Sequence, residues 1–578
     1  MIYTGARILV ESLIKNGVDT IFGYPGGAVL DIYDELYKCK DRIRHILVSH
    51  EQHAAHAADG YARSTGRAGV CLATSGPGAT NLVTGIATAF VDSVPVIAVT
   101  GNVGTPLLGK DSFQEVDIAG ITMPIVKHNW IVEDVNDLAE IVNEAFVVAL
   151  SGRPGPVLID IPKDIIGAVC REQMTDNREK THSLILNERA ARLIGKTKRE
   201  TFNNADIEKA AALIKNSKRP MIFAGGGVIN SGAGEQLTQL AERLIAPVAL
   251  SLMGMGAINY RHPLYTGMIG MHGTIASNKA VQKADLLIAA GVRFSDRVTN
   301  GIGAGGAERF AKNAKIIHID IDPAEINKNI NTETFIIGDI KEVLNKLMDR
   351  IPCFSQNEWG IELQDWKNKY RNGITDNAVS GKKTLHPLTI VEYAAGALGE
   401  NTIAVTDVGQ HQIWTAQFFP FTKTRTFLSS GGMGTMGYGM GAAAGAKIAN
   451  PSSPVVLFTG DGCFRMNSGE LATLVKYKLP VLIVVFNNST LGMLRQWQNF
   501  IYSSNYYETD LDNSCPDFIK LAAAYNVEGF RVTDGESLSE ALKKCVKILA
   551  EGKPALVEAV ISRDEKVEPM RLGAKPVD

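Results

Sequence analysis

Residues 453–498 read SPVVLFTGDGCFRMNSGELATLVKYKLPVLIVVFNNSTLGMLRQWQ. The apolar run Val455 to Phe458 is long enough for one buried strand. Gly460-Asp461-Gly462 then supplies a turn that glycine tolerates easily. Phe464, Leu471, Leu474 and Val475 follow at helical spacing, and Pro480 ends that segment. A second buried run, Val481 to Phe486, delivers Asn487-Asn488. Strand, glycine turn, helix and strand together predict a βαβ unit of a parallel sheet.

Neighbouring strands of such a sheet finish on one edge, so the pattern predicts Asn488 beside Asp461. Asp461 falls at a helix N-terminus, where free N–H groups and the dipole favour a phosphate. A carboxylate, an amide oxygen and nearby backbone carbonyls suit Mg²⁺, which keeps few protein ligands and shares phosphate oxygens. An isolated G-D-G would read as a solvated turn; the Asn pair at the next strand's end favours the metal reading.

G-D-G, 24 residues and then N-N is similar to the thiamine-diphosphate signature of the pyruvate-decarboxylase-like enzymes. The continuation LGMLRQWQ resembles the catalytic subunits of the acetolactate (acetohydroxyacid) synthases, and the match spans nearly the whole chain. The resemblance implies thiamine diphosphate, Mg²⁺ and FAD as cofactors. It implies decarboxylation of pyruvate and ligation of the two-carbon unit to a second 2-oxo acid, pyruvate or 2-oxobutanoate, in branched-chain amino acid biosynthesis.

The chain has 578 residues, enough for about three or four domains. With 45% hydrophobic and 21% charged residues it has an ordinary globular composition. A net charge of −2 without a basic stripe argues against nucleic acid. No apolar stretch approaches the ~18 residues of a membrane span. The N-terminus reads as an amphipathic helix, neither a secretory signal nor a transit peptide. Seven cysteines without C-x-x-C point to a reducing compartment, cytoplasm or plastid stroma, and not to secretion or a zinc site.

Upstream, residues 70–102 repeat the opening pattern. Gly76-Pro77-Gly78 stands for Gly460-Asp461-Gly462, Pro95 follows Gly76 by 19 residues as Pro480 follows Gly460 by 20, and Asn102 follows Pro95 by seven as Asn487 follows Pro480. This reads as an internal duplication. The first copy lacks the aspartate, which leaves it a task other than holding the metal. Ile46-Leu47-Val48-Ser49 runs into His50-Glu51-Gln52, a carboxylate at a strand end. Thiamine chemistry needs a carboxylic acid to protonate the coenzyme's pyrimidine so that its amine can take the C2 proton. HEQ-x-A-x-H-x-A-D-G-Y-A-R resembles the family's glutamate motif, which gives Glu51 that role. His53 stands where these enzymes usually carry glycine, which sets an imidazole near the acid's pocket. Asn102 stands where glutamine is usual, at the expected substrate channel.

The expected architecture is α/β, with three doubly wound parallel-sheet domains. The first (1–165) and third (386–578) are duplicated thiamine-diphosphate-binding folds, and the middle one (206–345) binds FAD. Charge-rich linkers fall at 166–205 and 346–385, the second with a helix near Trp366. Bottom-up, Phe113-Gln114-Glu115 is no more than a possible helix start. By resemblance Phe113, Gln114 and Lys163 point at the active site. Val408, Gly409, Gln410, His411, Met436, Gly460, Gly462, Cys463, Gly492 and Met493 contact thiamine diphosphate, with Met436 the wedge that bends it. Asp461, Asn488 and Thr490 hold the metal. Arg153, Gly225, Gly226, His272, Gly291, Arg293, Asp320 and Asp339 contact FAD. Arg297 meets the second substrate's carboxylate, and Trp497 forms the wall that favours 2-oxobutanoate. The resemblance further implies sites shared between subunits of a homodimer or homotetramer, a separate small regulatory subunit, and a tail (563–578) closing over the site. A pyruvate oxidase or decarboxylase shares the architecture, and a non-catalytic nucleotide-binding scaffold is the alternative of another class.

Overall fold

Buried apolar strands with helices on both faces dictate the architecture. VVLFTG (455–460), VIAVTGN (96–102) and VLIDIP (157–162) are buried at every position, as parallel strands covered on two sides must be. The computed structural model describes residues 3–170, 202–299, 310–355, 358–367 and 385–570. The expected linkers and the C-terminal tail lie partly outside them.

A short strand β1 (Tyr3–Thr4) precedes β2 (Thr20–Gly23), β3 (Arg44–Leu47), β4 (Gly69–Ala73), β5 (Val96–Asn102), β6 (Asn129–Ile131) and β7 (Val157–Pro162). β8 (Val169–Cys170) returns antiparallel to β1. β2 to β7 form a parallel sheet in the order β3-β2-β4-β5-β7-β6. The middle sheet contains β9 (Pro220–Ala224), β10 (Val248–Leu250), β11 (Tyr265–Met268), β12 (Leu286–Ala290), β13 (Lys315–Asp320) and β14 (Thr334–Ile337). The third contains β15 (Ile403–Thr406), β16 (Phe427–Leu428), β17 (Val455–Gly460), β18 (Val481–Asn487), β19 (Glu528–Val532) and β20 (Ala555–Val560), in the order β16-β15-β17-β18-β20-β19.

With strands counted inside their own sheet, the first and third orders are both 2-1-3-4-6-5. β4 lies parallel beside β5 as β17 lies beside β18. The repeat read from two glycine turns therefore extends to whole sheets. The middle sheet runs 3-2-1-4-5-6, the order of doubly wound dinucleotide folds, with its switch point between β9 and β12.

The segment between β17 and β18 departs from one uninterrupted helix. Helix Asp461–Asn467 stops, a 3₁₀ turn covers Ser468–Glu470, and a second helix runs Leu471–Lys476. Ser468 and Gly469 are weak helix formers, and Glu470 turns its side chain toward the first sheet. Phe113-Gln114 is a turn, with Gln114 at φ +59°, and not a helix start. The helix near Trp366 spans 358–367.

The first and third units meet through helices Glu51–Thr65 and Gly439–Ala449. Small residues let the backbones touch: a Cβ on Gly60 would lie 2.2 Å from the Ala442 carbonyl oxygen, and one on Gly445 would lie 1.9 Å from that of Ala57. A side chain at either position would push the helices apart.

Candidate active site

Three strand ends of the third sheet build one cleft. β15 ends into Asp407-Val408-Gly409, β17 into Asp461-Gly462, and β18 into Asn488-Ser489-Thr490. The cleft is lined by Val408, Gly409, Gln410, His411, Met436, Gly460, Asp461, Gly462, Cys463, Asn488, Thr490, Gly492 and Met493. Every third-domain cofactor and metal residue expected from the sequence is thus brought to one place.

Asp461 Oδ1 accepts the Gly462 N–H at 2.7 Å, while Oδ2 is buried without a protein partner. Burial pushes this carboxyl up to about 6, against the pull of backbone N–H groups from Gly462 and Asn488 to Thr490. Ser489 adopts φ +53°, which brings the Thr490 N–H back to Asn488 Oδ1 at 3.2 Å. Asn488 Nδ2 donates to Gln410 Oε1 at 3.3 Å, which orients the amide. The Thr490 hydroxyl donates to the Thr509 carbonyl at 2.7 Å, so its own backbone carbonyl is the oxygen it can offer. A buried, unpartnered carboxylate oxygen beside an oriented amide suits a hard cation. His411 Nε2 is also buried without a partner; burial pulls the imidazole down to about 3, leaving it neutral. Gly460 gives the ring its room, because a Cβ there would lie 3.0 Å from the His411 ring and press on it.

Met436 lies on a loop fixed from beneath by Asp407. Asp407 Oδ1 accepts the N–H groups of Gly437 (2.8 Å) and Gly439 (3.2 Å), and Oδ2 accepts from Thr459 Oγ1 and Asn467 Nδ2, both at 3.0 Å. Asp92 holds the loop's start through the N–H groups of Gly431 (3.0 Å) and Gly432 (2.8 Å). Sequence reasoning passed over both acids. For Asp407 the available signal was its position at the end of a buried strand.

Glu51 opens the helix Glu51–Thr65, which His50 caps through Nδ1. Its Oε2 accepts from Asn81 Nδ2 at 2.9 Å, and its Oε1 faces Gly78. Gly76 has φ +60°, and its missing Cβ makes room for the Gln114 backbone, so Gln114 sits at the same turn. Phe113 is 87% exposed, and Lys163 projects at the end of β7. Glu51 does not line the Asp461 cleft of its own chain.

Two expectations about the first unit are corrected. His53 does not turn on the acid: its Nδ1 bonds Glu470 Oε1 at 2.9 Å. Asn102 is buried, and its amide is engaged within the sheet, donating to Asp160 Oδ2 at 2.6 Å.

In the middle unit Gly225, Gly291, Asp320 and Asp339 follow or end β9, β12, β13 and β14, all on the carboxyl edge, with Gly225 and Gly291 at the switch point itself. A Cβ on Gly225 would lie 2.2 Å from the Gly291 carbonyl oxygen and one on Gly227 2.6 Å from the Gly291 Cα, so both pack against that turn, while Gly226 faces Met253. Burial raises Asp320 to about 6. Arg153 binds Glu325 (2.9 Å), Asp322 (3.3 Å) and Ser93 Oγ (2.8 Å), and Arg293 binds the Val91 carbonyl. His272 Nδ1 is buried without a hydrogen-bond partner, and burial lowers its imidazole to about 4. Arg297 lies over the Trp497 ring, 5.6 Å from its centroid.

Three family models match, one over most of each sheet: the thiamine pyrophosphate enzyme N-terminal TPP binding domain over residues 3–121, its central domain over 207–347, and its C-terminal TPP binding domain over 407–559. The acetolactate synthase large subunit of Cyanidium caldarium is 45% identical over 99% of this chain and 95% of its own. The acetolactate synthase of Arthrospira platensis is 44% identical over 98% and 96%. A probable acetolactate synthase large subunit of Methanocaldococcus jannaschii is 46% identical over 99% and 94%.

Proposed function

The chain belongs to the acetolactate synthase family of thiamine-diphosphate enzymes, and we propose that its first and third sheets divide the work of one coenzyme between them. Enzymes of this family decarboxylate pyruvate and ligate the two-carbon unit to a second 2-oxo acid, the first step of branched-chain amino acid biosynthesis. Thiamine diphosphate supplies the carbon acid that carries that unit.

Asp461, Asn488 and the Thr490 carbonyl would hold Mg²⁺ against the diphosphate, with the neutral His411 beside it. The buried, unpartnered Asp461 Oδ2 is the single observation that carries this assignment. Met436 would press the bound coenzyme into its bent form. Glu51 would protonate the pyrimidine ring and hold that proton through turnover. Gln114, Phe113 and Lys163 border the same site. Arg297 would clamp the carboxylate of the second 2-oxo acid, with Trp497 as the apolar wall. Arg153, Gly225, Gly226, His272, Gly291, Arg293, Asp320 and Asp339 would hold FAD at the middle sheet's switch point.

Because Glu51 stands apart from the Asp461 cleft in one chain, the working unit in this reading is a homodimer, or a tetramer built from dimers. The relatives' description as large subunits supports a separate small regulatory chain. All seven cysteines are free, which suits the cytoplasm or a plastid stroma. Among the described residues no helix is long and apolar enough to cross a membrane. Product analysis from pyruvate tests the reading: acetolactate supports it, whereas acetate or acetaldehyde alone would assign an oxidase or decarboxylase.

A further inference from the structure

The residues just before Glu51 are tied to the segment that descends from Asp461. Leu47 N donates to the Tyr477 hydroxyl at 2.8 Å, Ser49 Oγ to the Gly469 carbonyl at 2.8 Å, and Ser49 N to Glu470 Oε1 at 2.7 Å. Thr473 Oγ1 donates to Glu470 Oε2 at 2.6 Å. His53, within the first turn of the Glu51 helix, completes the set through Nδ1 on Glu470 Oε1 at 2.9 Å. The two side chains are 9% and 1% exposed. A carboxylate only accepts, so Nδ1 carries the hydrogen. Glu470 thus receives donors on both sides of Glu51, from Ser49 before it and His53 after it.

We propose that His53 and Glu470 form a positioning pair that fixes the helix start from which Glu51 reaches the coenzyme. The proposal rests on the reading of Glu51 as the pyrimidine acid. A tether on each side of residue 51 removes the rocking of the helix's first turn, which has fewer backbone hydrogen bonds than the helix interior. Cavity filling alone would not need a donor; positioning needs one aimed at Glu470 from residue 53.

That difference gives the test, made on the full chain reconstituted with thiamine diphosphate, Mg²⁺ and FAD. Deuterium exchange at the coenzyme C2 reports the action of Glu51, and coenzyme affinity reports the Asp461 cleft. His53→Ala removes the donor. His53→Asn keeps an N–H at the same distance from the backbone as Nδ1. His53→Ala is expected to slow exchange about tenfold, the scale of a small misplacement of a catalytic group, with affinity held within about twofold. His53→Asn is expected to recover most of that rate. Equal rates in Ala and Asn variants, or parallel losses of exchange and affinity, would reduce the pair to packing and overturn the proposal. Glu51→Gln is the control. Exchange at the wild-type rate in that variant would remove the acid's role and, with it, anything to position.

Discussion

The Arg297 guanidinium carbon lies 5.6 Å from the centroid of the Trp497 ring, joining the middle unit to the helix that follows β18. Both residues face where a second substrate would meet the coenzyme in the reading above. Trp497 supplies apolar surface and Arg297 the charge, in a geometry that favours a cation over the ring. Trp497→Leu should shift products from an equimolar pyruvate and 2-oxobutanoate mixture toward acetolactate by roughly tenfold, the worth of one methylene in an apolar pocket. An unchanged product ratio would remove Trp497 from the acceptor site.

Asp407 receives four donors while buried. Asn can accept on one oxygen only, and its amide would face the donors of Thr459 or Asn467. Asp407→Asn should cost about 1–3 kcal/mol in unfolding by urea and lower coenzyme affinity, because the Met436 loop loses its anchor. Unaltered affinity would separate that loop from the coenzyme.

Asp160, inside β7 and paired with Thr100 of β5, is raised to about 6 from 3.8, chiefly by burial. The folded value lies above the unfolded one, so its protonated form stabilises the fold below about 4, and that contribution is lost as pH rises through about 6. Asp160→Asn cannot ionise. Its melting temperature relative to wild type should therefore rise from pH ~4 to pH ~7 and then level. A difference independent of pH would show that Asp160 does not titrate in this window.

Arg153 spans Ser93 and the acids following β13. Arg153→Ala should lower FAD affinity about tenfold or more, the worth of one charge-assisted hydrogen bond, seen as lost flavin absorbance. Thiamine diphosphate affinity should hold. Full flavin retention would place FAD elsewhere.

Much of this was legible in the chain because short-range chemistry specifies it. The turns at Gly76 and Gly460 and the buried runs around them mark two copies of one unit, and the shared strand order follows. The cleft residues cluster because parallel strands end together. What the residues alone did not disclose came from distant contacts. His53 finds Glu470, 417 positions away, so an imidazole read as pressing on the acid is a tether between sheets. The helix after Asp461 breaks at Ser468–Glu470 so that Glu470 can make that contact. Asp407 carried no local signal of its four partners, which come from the Met436 loop, Thr459 and Asn467. Asn102 was read toward substrate, but burial and Asp160 claim its amide.

The division of labour is tested most directly by mixing two inactive variants, Glu51→Gln and Asp461→Asn, under conditions that exchange subunits. In a mixed dimer with sites shared across a twofold axis, one site carries both lesions and the other carries neither. Acetolactate formation should return to about a quarter of wild type on random mixing. If subunits demonstrably exchange and no activity returns, the acid and the metal site act within one chain, and the shared site is wrong.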